Sequence, residues 1–96
     1  MSSLFSRVFP PAVREVRLLL SQTGPASSGT REFIVANYPT IKKSNQNLPI
    51  LIREAEGTPA RAFVRFERGV EKHVELDNLS SSQVSSRIAE LLGLKQ

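Results

Sequence analysis

The sequence predicts a mixed α/β (α+β) domain whose elements, in the order β-α-β-β-β-α, build one four-stranded mixed sheet. Three observations carry that prediction. Two short apolar runs, Val13 to Leu20 and Ile50 to Glu54, flank a stretch with helical periodicity, which makes a βαβ unit. Two alternating stretches meet at Arg68-Gly69, which makes a hairpin. A capped amphipathic stretch from Ser80 to Gly93 follows them. With 96 residues, 40% of them hydrophobic, there is material for one core and not for two. Residues 1–12 are read as an N-terminal arm and 13–96 as the domain.

Met1 to Pro11 reads as a loose arm stopped by Pro10-Pro11. In the first strand Val16, Leu18 and Leu20 share one face and Leu19 takes the other, so its far end should be buried on both faces. Ser21 to Ser28 is rich in turn residues. The helix starts near Ser27 or Ser28, with Phe33, Ile34, Asn37, Tyr38 and Ile41 at helical spacing. Lys42-Lys43 suits the negative end of its dipole. Pro39 predicts a bend, with another turn up to Lys43. Ile50 to Glu54, introduced by Pro49, is a continuous β-branched run of the kind expected for a central buried strand. Its crossover from the first strand should be right-handed and the two strands parallel. Arg61 to Glu67 alternates, and Val70 to Leu76 returns with Glu71, His73 and Glu75 on one face. Ser80 and Gln83 have capping-box spacing. Val84, Ile88, Leu91 and Leu92 form the buried stripe of the last helix, and Gly93 ends it. This is a thioredoxin-like layout with the middle helix reduced or missing.

Net charge is +4 and the pI about 10.1, a balance that suits nucleic acid, an acidic protein surface or anionic lipid as partner. The basic residues are scattered, however, and only Lys42-Lys43 are adjacent. No apolar run approaches the roughly 20 residues needed to cross a bilayer. Met1 to Arg14 carries two arginines, several serines and no acid, a composition compatible with mitochondrial import without cleavage.

The 0 cysteines exclude disulfides, thiolate metal sites and thiol nucleophiles. Thioredoxin chemistry needs a low-pKa thiol where the first strand meets the first helix, and Ser21 to Ser28 offers only hydroxyls without a neighbouring base. His73 is the only histidine and reads as a surface residue between Glu71 and Glu75. No phosphate-binding glycine loop is present. Accordingly no catalytic, cofactor-binding or metal-binding residue is assigned. The one binding candidate is Arg61, Phe63 and Arg65, which share a strand face by parity. Arginine around an aromatic suits a protein interface or a stacking platform for single-stranded RNA; alternatively, Phe63 is core beneath a covering segment.

Several local runs carry a family resemblance. They are Val13-Arg14-Glu15-Val16-Arg17, Gly29-Thr30-Arg31-Glu32-Phe33-Ile34, Lys42-Lys43-Ser44-Asn45 and, most specific, Leu48-Pro49-Ile50-Leu51-Ile52-Arg53-Glu54. Phe63-Val64-Arg65-Phe66 and Asn78-Leu79-Ser80 continue it, so that it spans about Val13 to Leu92. Together they resemble the thioredoxin-like small accessory subunit of mitochondrial NADH:ubiquinone oxidoreductase, respiratory complex I, of the ribosomal L51/S25/complex I B8 domain family. The resemblance implies a non-catalytic accessory subunit without a cofactor, peripheral on the matrix side of the inner membrane. It implies a role in assembly or stability of the matrix arm, with other complex I subunits as partners, the large iron–sulfur subunit first among them. No nucleic acid and no membrane span are expected. Some family members carry a cysteine pair, able to form a disulfide, at the positions of Ser21 and Ala55. A redox role proposed for those members does not transfer to this chain.

The alternative within the same domain family is a mitochondrial ribosomal protein, for which extended basic tails would be expected; Lys95-Gln96 provides none. A third reading, a transferase on a thioredoxin scaffold, needs a glutathione-type site for which no residues are found.

Overall fold

The computed structural model describes residues 4–94. Strand β1 (Val13–Leu20) leads through a short 3-10 turn into helix α1 (Ser28–Ser44), then β2 (Ile50–Glu54). Strands β3 (Arg61–Phe66) and β4 (Glu71–Glu75) form the hairpin, and α2 (Ser81–Leu92) closes the order β-α-β-β-β-α. The sheet runs β2-β1-β3-β4, with β1 and β2 parallel and the other two pairings antiparallel. This is the expected thioredoxin-like α+β architecture with a four-stranded mixed sheet.

The local signals act as their chemistry dictates. The Ser80 hydroxyl accepts from the Gln83 amide at 3.2 Å while the Gln83 side chain accepts from the Ser80 amide at 2.9 Å, which satisfies two helix-end donors reciprocally. Gly93 ends α2 at φ 78°, a left-handed conformation that glycine adopts without steric cost. The hairpin turn holds both Arg68 (φ 65°) and Gly69 (φ 74°) in that region. As a result the returning strand is shorter than the alternation from Val70 to Leu76 suggests.

The core lies between one sheet face and the two helices. Val16, Leu18 and Leu20 of β1 and Ala62 and Val64 of β3 meet Phe33 and Ile41 of α1 and Val84, Ile88 and Leu92 of α2. The helices touch closely at their N-terminal ends. A methyl group on Gly29 would lie 2.0 Å from the Leu79 carbonyl oxygen, so only glycine permits that approach. Helix α1 continues through Pro39 to Ser44. The carbonyl that the proline leaves without an amide donor is that of Val35, whose side chain is 79% exposed, on the solvent side of the helix.

Two expectations need correction. Ile50–Glu54 is an edge strand, not a central buried one. Its apolar run is divided between two environments: Ile50 and Ile52 pack toward α1, while Leu51 projects from the opposite face and is 40% exposed. Nor is the N-terminal segment loose over its described part. Phe5 and Phe9 are only 3% and 5% exposed and belong to the core, Phe5 meeting Phe33 edge-on at 5.0 Å. Asn45 holds the segment down, accepting from the Phe9 amide at 2.8 Å and donating to the carbonyls of Arg7 and Ile41. The Ser44 hydroxyl adds a bond to the Ser6 carbonyl. Met1 to Ser3, and Lys95-Gln96 at the other end, lie outside the described residues.

Candidate functional site

Both helices pack on the same side of the sheet, and the other face is open to solvent. Register builds this face row by row. One row runs Leu51, Arg17, Phe63, His73; the next runs Arg53, Leu19, Arg61, Glu75; a third holds Glu15, Arg65 and Glu71. The face therefore has an apolar middle of Leu19, Leu51 and Phe63 framed by charge.

Arg61, Phe63 and Arg65 are brought together on this face, as strand parity requires. Phe63 is not part of the core, and among the described residues no segment covers it. Its ring stacks on the His73 imidazole, centroids 5.2 Å apart, and the Arg17 guanidinium lies 5.3 Å from its centroid. Around it runs a chain of ion pairs. Glu15 accepts from Arg17 and Arg65, each at 3.1 Å; Arg17 also pairs with Glu71; Arg61 pairs with Glu75 at 2.9 Å. Such exposed pairs contribute about 0–1 kcal/mol each to stability. Their larger effect is to hold long side chains in fixed positions around Phe63.

The sequence reading does not name Arg17 and Leu51 on this face; it does put Leu19 there but expects the end of β1 to be buried on both faces, whereas Leu19 is only half-buried because both helices pack on the other side. For Arg17 the signal was present: the parity that buries Val16, Leu18 and Leu20 must send it, like Leu19, to the other side. Leu51 carries no such signal, because it sits in a continuous apolar run whose neighbours Ile50 and Ile52 do pack on the core.

The charge pattern separates the two ligand classes considered for Phe63. Three of the four arginines on the face, Arg17, Arg61 and Arg65, are neutralised by Glu15, Glu71 and Glu75. A single-strand RNA platform needs unneutralised cations tracking the phosphates. An aromatic and aliphatic centre inside a rim of paired charges is the composition of a protein–protein interface.

The β1–α1 junction, where thioredoxin chemistry would sit, is occupied by turn-stabilising bonds. The Ser27 hydroxyl accepts from the Ser21 amide at 3.0 Å, and the Ser21 hydroxyl accepts from the Gly24 amide at 2.9 Å. Arg31 donates to the carbonyls of Ser21 and Gly24, closing the loop onto α1. The Ser21 and Ser27 hydroxyls thus serve backbone amides. Ser21 and Ala55 lie one position past the last parallel pair, Leu20 with Glu54, and the Ala55 amide donates to the Leu20 carbonyl at 3.2 Å. His73 is exposed at the edge of the sheet, 3.6 Å from Glu75. Among the described residues no group of three or more His, Cys, Asp or Glu side chains is placed to hold a metal ion. Among them, too, no helix is long and apolar enough to cross a membrane.

Comparison with known proteins gives this face a context. Residues 30–81 match the family model described as mitochondrial ribosomal protein L51 / S25 / CI-B8 domain. The chain is similar to the NADH-ubiquinone oxidoreductase 10.5 kDa subunit of Neurospora crassa, with 44% identity over 92 residues and 96% of each chain covered. It is also similar to NADH dehydrogenase [ubiquinone] 1 alpha subcomplex subunit 2 of Arabidopsis thaliana, 41% identical over 81 residues and 84% of each chain. The Mus musculus protein of the same name is 42% identical over 83 residues, covering 86% of this chain and 84% of its own. With a family model matched over more than half of its length and relatives above 40% identity over most of the rest, the chain belongs to the mitochondrial ribosomal protein L51 / S25 / CI-B8 domain family.

Proposed function

We propose that this chain is a non-catalytic accessory subunit of mitochondrial NADH:ubiquinone oxidoreductase, bound peripherally on the matrix side of the inner membrane. The observation that carries the reading is near-full-length similarity to subunits of that enzyme in a fungus, a plant and a mammal. The binding role is supported by the open sheet face, which offers a preordered apolar centre. On this reading the face centred on Phe63, with Arg61 and Arg65 beside it and Leu51 extending it, docks on another subunit of the matrix arm. The large iron–sulfur subunit is the proposed neighbour, and the contribution is to assembly and stability of the arm. Burying the apolar part of the face would contribute roughly 25 cal/mol per Å² before association costs.

Native electrophoresis of solubilised mitochondria, followed by mass spectrometry of the bands, tests this. The chain is expected to co-migrate with NADH dehydrogenase activity. Co-sedimentation with ribosomal subunits, lost on RNase treatment, would instead assign it to the ribosomal side of its domain family.

A further inference from the structure

We infer that the free edge of β2 receives an extended segment of the neighbouring subunit as a fifth strand, so that this chain docks by strand addition as well as through its open face. The inference deepens the proposed function and rests on it.

Backbone geometry identifies the occupant. The Val16 amide donates to the Pro49 carbonyl and the Ala55 amide to the Leu20 carbonyl. In a parallel ladder, amide and carbonyl of one residue face the same neighbour and those of the next face away. Leu51 and Arg53 therefore bond to β1, and the amides and carbonyls of Ile50, Ile52 and Glu54 point outward. Among the described residues nothing pairs with them, since β2 has β1 as its sole strand neighbour. A row of outward donors and acceptors at strand spacing is complementary to another extended backbone and to little else.

The two edges of the sheet are treated differently. Four of the five residues of β4 are ionisable, and Glu71 and Glu75 are drawn onto the open face by Arg17 and Arg61. Such charge is the usual protection of an edge. Strand β2 instead begins Ile-Leu-Ile, without a bulge in its register with β1. Beside it, Leu20, Ile34, Val35 and Ile52 line a groove between the edge and α1, with Arg31 and Glu54 also in its lining. On the opposite face, Arg53 has no carboxylate partner among the described residues, unlike Arg17, Arg61 and Arg65. The added segment is thus specified in both its alternating directions. One set of its side chains is apolar and enters the Ile34–Val35–Ile52 groove, and the other set places an acid beside Arg53 and an apolar group beside Leu51.

Amide hydrogen exchange at single-residue resolution, on the isolated subunit and on the assembled enzyme, tests this. In the isolated subunit the Leu51 and Arg53 amides should be protected, and those of Ile52 and Glu54 should exchange freely. On assembly the latter two are expected to slow by at least about tenfold. Glu54→Pro deletes one outward amide without touching the ladder to β1, and should lower incorporation into the enzyme severalfold; Glu54→Ala, which keeps the amide, should not. If the chain co-migrates with the enzyme and Ile52 and Glu54 still exchange as in the isolated subunit, strand addition is wrong while the accessory-subunit reading stands. If the isolated chain is a dimer with those amides protected, the occupant is a second copy and the inference is overturned. If the chain is absent from the enzyme, both readings fall together.

Discussion

Two residues in α1 test the packing account directly, with opposite signs. Gly29 sits against the Leu79 carbonyl, which is backbone and cannot swing aside. Gly29→Ala should cost about 3 kcal/mol and lower the thermal midpoint, although alanine is the better helix former. One position on, the Thr30 hydroxyl is buried without a hydrogen-bond partner. Thr30→Val keeps the shape and removes that desolvated group, and is expected to stabilise by about 1 kcal/mol in denaturant titration. Neither effect was legible in the sequence. Gly29-Thr30 reads there as an ordinary helix start; what distinguishes Gly29 is a contact with a loop some fifty positions away, and what distinguishes Thr30 is burial. Ser80 is the contrasting case. Its role depends on Gln83 three residues later, so the capping box was legible and the structure contains it. Ser80→Ala should cost about 1 kcal/mol.

At the scale of elements, the same division between local and distant causes decides what could be read. The boundaries of β1, α1 and α2 follow from periodicity, caps and turn residues within a few positions. The place of a strand in the sheet does not, because it depends on which neighbours pair with it. Ile50–Glu54 looks like a central strand by composition and is an edge by pairing. The N-terminal segment is the second instance. Phe5 and Phe9 stand in a short stretch interrupted by Ser6-Arg7 and closed by two prolines, which announces no element, yet α1 and Asn45 provide a seat for them. Asn45→Ala would leave the buried Phe9 amide without its acceptor and remove the side-chain bond to the Arg7 carbonyl, while the Ile41 carbonyl keeps the backbone amide of position 45; the loss is expected at about 1–3 kcal/mol in equilibrium unfolding. Proteolysis should then open the chain near Arg7 before the sheet yields.

In the whole molecule, two helices on one side of a four-stranded sheet give a folded domain with one finished face and one open face. The candidate site was partly legible because period-2 parity is a local rule, and it placed Arg61, Phe63 and Arg65 together. That Phe63 lies open rather than beneath a covering segment could be seen only once both helices were placed on the other side. The correction at Leu51 matters for experiment as well. As an exposed member of Phe63's row it belongs with the proposed docking face; Val64, fully buried in the same strand as Phe63, is the proper core control. Val64→Ala should reduce stability by about 2 kcal/mol. The most direct test of the account is the fraction of folded Phe63→Ala chain found in the NADH dehydrogenase band of a native gel, in cells lacking the endogenous subunit and relative to wild type. Docking through Phe63 predicts a several-fold loss from the band with the thermal midpoint of the isolated subunit nearly unchanged. Wild-type incorporation of Phe63→Ala would contradict it.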